Sequence, residues 1–296
     1  MRSKDAPRSR PYWHVDAKWI SGLLLTVLLS LTLFVYGLVR ITSEKPAVDT
    51  LTMTMALTSS RHGLDDKTEI EEVRKRLGAG SGGTFEPIPG LRLSVTEEDL
   101  ANLSPRELRL SLFRQIAEPF YREGTEGLAE LVEDPELEKG LAGGAGALSF
   151  FTLEMHQRLR GTFLFLGIIS LLLFIPLIFF SHRFGRLASP GCVLILASLP
   201  GAILFNLISA APQPAAKPPV EEADMSGMLG YLAANLVPPL AEIIARTYTI
   251  ALVLGLVLAI SSVFGSLIWR LSRRRSSTHK PVDQPSVENT HSIIDG

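Results

Sequence analysis

The chain has 296 residues, a net charge of −1 and a hydrophobic fraction of 46%, which is long enough for one or two domains. With no global basic surface, nucleic acid is excluded as a partner. The single cysteine, Cys192, excludes an intramolecular disulfide and cysteine-based zinc clusters.

The apolar residues are gathered into a few blocks with charges crowded between them. The first block begins in "YWHVDAKWI" and continues as 21 uncharged residues, Trp19 to Val39, between Lys18 and Arg40. At 1.5 Å per residue that length crosses a hydrocarbon core of about 30 Å. It is longer than the apolar centre of a cleaved signal and is followed by "VYGLVRITSEK", so it reads as a retained span. Trp13 and Trp19 fit an interfacial aromatic belt, and Lys18 can snorkel to the head groups.

Residues 41–160 form a large loop, expected to be an extracytoplasmic domain. From residue 42 on it holds 14 lysines and arginines against 21 aspartates and glutamates, a balance of −7, and so has little affinity for anionic lipid. In "TLTMTMALT", Leu51, Met53, Met55 and Leu57 alternate with polar or small residues, the period of a half-buried strand; the alternative is an extended continuation of the first span. "DDKTEIEEVRKRLG" predicts a short helix capped by Asp66 and stopped by Gly78. Leu91, Leu93 and Val95 alternate again before Thr96 and Asp99 begin another helix.

The best-marked helix is "LSPRELRLSLFRQIAEPFYREG". Ser104 can cap it, Pro105 suits the first helical position, and Glu107 closes a capping box. Leu108, Leu112, Phe113, Ile116 and Phe120 then line one apolar face. That face needs an occupant, which can be the rest of the loop, the membrane surface or another protein, and it is the candidate partner-binding face. Pro119 is expected to kink or end the helix. "GAGSGG" (78–83) and "GLAGGAGA" (140–147) read as joints, the second leading into a helix, "LSFFTLEMHQRLR", that runs into the second span.

That span is 161–181, and a cytoplasmic turn, 182–189, leads to a third span over 190–210. The segment 211–246 opens with a proline-rich spacer and continues as an apolar stretch suited to an interfacial helix, which Pro238 and Pro239 break before the fourth span, 247–269. Residues 270–296 read as a disordered cytoplasmic tail, like the short tail 1–18. Twelve lysines and arginines flank the spans on the side of the termini and six on the other, which places both termini in the cytoplasm of a multi-pass cell-membrane protein. The predicted fold is thus mainly α, with four transmembrane helices and a helix-rich, α or α+β, outer domain.

Chemistry is sparse. "GAGSGG" lacks the Gly-Lys-Ser/Thr of a phosphate loop, and in place of the first glycine of a hydrolase elbow it has Ala79. "EMH" (154–156) lacks the second histidine of a zinc helix. The spans hold no Asp, Glu, Lys, Arg or His, which argues against a transporter that needs such a group at depth. No cofactor or metal is called for. In the fourth span Ala251, Gly255 and Ala259 recur every four residues and permit close helix approach, and Asn206 in the third is suited to an interhelical hydrogen bond.

The topology of one anchor helix, a large outer domain and three further helices resembles permease subunits that work with an ATPase, which implies a mechanical or transport subunit. The leading expectation is instead a non-enzymatic scaffold, sensor or assembly factor whose outer domain binds a membrane or extracytoplasmic protein. An enzyme using His62, Asp65 and His156 is the third reading.

Overall fold

The computed structural model of the chain describes residues 13–59, 102–129, 148–179, 185–211 and 225–277, with isolated positions between them at Leu64, Thr84–Phe85, Leu93, Val95–Thr96, Leu131, Gly146 and Ser181. Its helices are α1 (Trp13–Ile41), α2 (Glu44–Ser59), α3 (Pro105–Glu123), α4 (Thr125–Ala129), α5 (Leu153–Phe179), α6 (Gly185–Ser209) and α7 (Met225–Ser277). A single 3-10 turn, Ser149–Phe151, precedes α5. β1 (Thr84–Phe85) and β2 (Val95–Thr96) pair antiparallel, with Thr84 opposite Thr96 and Phe85 opposite Val95.

Four helices are long and apolar enough to cross a membrane, over Trp19–Ile41, Leu153–Phe179, Leu187–Ser209 and Leu229–Trp269. Side chains such as Phe165, Leu171, Ile203 and Val263 point away from the protein, as the lipid-facing surface of a multi-pass membrane protein requires. Hydrocarbon is as apolar as leucine, so packing and interhelical hydrogen bonds hold such spans together. α1 runs antiparallel to α5 and also touches α6 and α7, while α6 packs closely on α7. Leu25, Leu177 and Val193 meet near one end of the bundle, Thr32 and Ser170 share a buried hydrogen bond of 3.2 Å midway, and Ile41, Ala202, Ile244 and Tyr248 meet near the other.

Residues 44–59 are helical where alternation pointed to a strand. The same apolar residues satisfy a helical spacing, because Ala47, Leu51 and Met55 fall four apart and lie on α3. The threonine hydroxyls find partners within the helix: Thr50, Thr54 and Thr58 each donate to the carbonyl four residues back, at 2.7, 2.7 and 2.9 Å.

Helix α3 begins with the complete capping box. Ser104 N–H donates to Glu107 Oε2 at 2.9 Å and Glu107 N–H donates back to Ser104 Oγ at 3.3 Å. Pro119 does not end α3. Termination falls at Gly124, whose φ of 66° is open to glycine and whose N–H donates to Phe120 O at 2.8 Å.

The expected break at Pro238–Pro239 is likewise absent: the stretch predicted as a separate interfacial helix and the fourth span form one helix of 53 residues, about 80 Å long at 1.5 Å per residue. Its N-terminal part packs on other helices of the chain. Tyr231 packs with Ala56, Leu57 and Leu64, and Ile244 packs with Ile41. The helix expected over 66–77, the joint 78–83, most of the joint 140–147 and the tail 278–296 lie outside the described residues.

Candidate functional site

The sequence offered one face of α3 to a partner, and the chain itself covers it. Leu108, Leu112, Ile116 and Phe120 are buried in a core with Ala47, Val48 and Leu51 of α2, and Phe113 packs against the same core. The face is therefore not a free docking surface. Its occupant is the first of the three possibilities, the rest of the loop, because α2 is a helix that presents a matching apolar stripe. Two exposed ion pairs rim the seam, Arg114 with Asp49 and Arg122 with Glu44 at 3.4 Å. Exposed pairs contribute at most about 1 kcal/mol each, so burial holds α2 and α3 together.

The small residues of α7 face α6 of the same chain. A Cβ added to Gly191 of α6 would stand 2.8 Å from Ala259 N and 3.0 Å from Gly255 O, and one added to Gly255 would stand 3.0 Å from Ile195 N. Ala251 is buried one turn further along. Asn206 Nδ2 donates to Ala202 O at 2.7 Å and to Thr249 Oγ1 of α7 at 3.3 Å. A second fastening, carried by Tyr248, had no signal in the sequence. Its ring lies on Gly201, where a Cβ would come within 2.4 Å, and stacks on Phe205 at 5.9 Å. Its hydroxyl donates to Ser30 O of α1 at 3.0 Å. One side chain thus ties α7 to both α6 and α1.

A buried polar contact sits where α3 and the start of α5 meet the turn after α1. Tyr121 OH donates to Thr42 O at 3.2 Å, and Thr42 Oγ1 is hydrogen-bonded to His156 Nδ1 at 3.2 Å. Thr42 and Tyr121 are buried. Burial, with the negative charge of Glu44 adding to it, pushes the Tyr121 phenol above its ordinary value, so it stays a neutral donor. His156 is thereby placed in a structural contact; His62 and Asp65, its companions in the enzymatic reading, lie outside the described residues.

Beside this contact opens a groove of about 530 Å³ between the end of α3, α4, the 3-10 turn and the start of α5. Glu123 and Glu126 line it from one wall, Glu154 and Arg158 from the other, and Arg158 is paired with Glu154. Among the described residues no group of three or more His, Cys, Asp or Glu is arranged to hold a metal ion. No protein-family model, curated protein or solved structure matches the chain.

Proposed function

We propose that this multi-pass membrane protein is a non-enzymatic scaffold, sensor or assembly factor, with the helices between its first and second spans forming an extracytoplasmic module that engages a protein partner. The observation that carries the reading is the way the module is attached. Tyr121 of α3 and His156 of α5 both bond to Thr42, the residue that follows α1, so whatever engages the module acts on the spans directly. Module surface left uncovered by α2, including Arg106 and Glu118, is where a partner would touch.

The test is site-specific photo-crosslinking in native membranes. Crosslinkers at Arg106 and Glu118 should capture one and the same protein, which a crosslinker at lipid-facing Phe165 does not. Absence of any module-specific product would contradict the proposal.

One observation favours the second reading, a mechanical or transport subunit resembling ATPase-coupled permeases in topology. Helix α7 runs unbroken from the module through the full depth of the bundle, a rod able to carry force. On that reading, alanine at both Arg183, between α5 and α6, and Arg186, in the first turn of α6, abolishes function by removing the grip for a cytoplasmic motor. Unchanged function in that double variant would dismiss it.

A further inference from the structure

The chain passes between module and bundle at three places, with a backbone break at two of them and a proline pair within a continuous helix at the third, and all three stand at one level. The first is Thr42–Ser43, between α1 and α2. The second is Thr152, extended at φ −98° and ψ 158° between the 3-10 turn and α5. The third is Pro238–Pro239 within α7, where two missing N–H groups leave the carbonyls of Ala234 and Asn235 without helical donors.

Contacts fix their common height. Thr42 Oγ1 meets His156, whose own N–H donates to Thr152 O at 3.0 Å, so the first two breaks lie within a turn of each other. Leu240, next to Pro239, packs against the cluster that contains Ile41, which brings the proline pair to the same plane.

Above and below this plane the packing is dense. On the module side, Leu51 with Phe120 and Leu57 with Tyr231 join α2 to α3 and to the outer part of α7. On the bundle side, Tyr248 bonds to Ser30 and Thr32 to Ser170. Across it run the two hydrogen bonds of Thr42, helix α7 itself, Leu153 of α5, which packs against the module core, and the ring of Phe151, which packs against both the module core and the bundle core. Two well-packed bodies joined by two backbone breaks, one helix weakened at a proline pair and a few side-chain contacts have the construction of a hinge.

We propose that this plane is an articulated joint about which the module tilts on the bundle, with Phe151 as its pivot. The groove straddles the joint, with Glu123 and Glu126 on the module wall and Glu154 and Arg158 on the bundle wall. Tilting therefore opens and closes it, which gives the molecule a way to convert engagement of the module into a change at the membrane.

The experiment measures spin-label distances in the full chain reconstituted in lipid, with Cys192→Ser as background. One pair spans the joint (Arg106→Cys with Arg160→Cys), and a control pair lies within the bundle (Arg160→Cys with Leu207→Cys); all three positions are exposed. The cross-joint distribution should be at least about twice as broad as the control, and Pro238→Ala with Pro239→Ala should narrow it towards the control. Equal widths in the native chain, a comparison that needs no substitution at the joint, would overturn the proposal. A cross-joint width left unchanged by the double alanine variant would overturn it too.

Discussion

At the scale of single residues, the spans are fastened by a few contacts that leave no room for substitution. The Tyr248 ring occupies the space a side chain at Gly201 would need, the hypothetical Cβ standing 2.4 Å from Cε1. Gly201→Ala should therefore lower stability by about 1–3 kcal/mol, the usual cost of overpacking, read as a drop in thermal midpoint in detergent; an unchanged midpoint would mean that α6 and α7 are not in contact there. Thr52 provides the opposite case. Its hydroxyl is buried without a hydrogen-bond partner among the described residues, unlike those of Thr50 and Thr54, which bond to the helix backbone. A buried unsatisfied hydroxyl costs about 1–3 kcal/mol, so Thr52→Val should raise the midpoint. A fall would place a polar partner beside it. Neither site was legible from sequence, because each depends on what stands opposite the residue and not on its neighbours in the chain.

At the scale of elements, local signals were readable and tertiary choices were not. The start of α3 was legible because Ser104, Pro105 and Glu107 act within one turn. The Ser104 side chain and backbone both donate to the Glu107 carboxylate and hold its pKa below the ordinary 4.5. The folded pKa lies below the unfolded one, so the unfolded chain binds more protons in that range. The contribution is thus present above pH 4.5 and lost as pH falls through the lowered value. Glu107→Gln should therefore reduce the thermal midpoint near neutral pH and make progressively less difference on acidification; a gap that persists at about pH 2, below the ordinary carboxylate range, would contradict the cap. Helix α2 was not legible, since the spacing of Leu51, Met53, Met55 and Leu57 suits a strand as well as a helix until α3 is present to select one. The apolar face of α3 was legible as a face, but its occupant was not. Phe120→Ala tests that occupant. Phe120 is almost fully buried against α2, so its truncation should cost about 3–5 kcal/mol. A face kept for an absent partner would show little loss in the isolated protein.

At the scale of the whole molecule, the four spans were legible from composition alone, since peptide groups in hydrocarbon must find partners within their own helix. What composition left hidden was the attachment of everything else. Pro238 and Pro239 suggested a boundary, yet packing of Leu240 and Ile244 beside Ile41 carries α7 straight through it. The link from Tyr121 to Thr42 joins residues 79 apart in sequence and that from Thr42 to His156 joins residues 114 apart, distances over which no local pattern carries information. Bundle and module share helices, and we propose that the module stands on one side of the membrane and both termini on the other. Labelling by a membrane-impermeant maleimide in intact cells, on a Cys192→Ser background, tests this most directly. A cysteine at Arg106 should react without permeabilisation, whereas one added after Gly296 should react only once the membrane is opened. Reaction of both positions under the same condition would contradict the account.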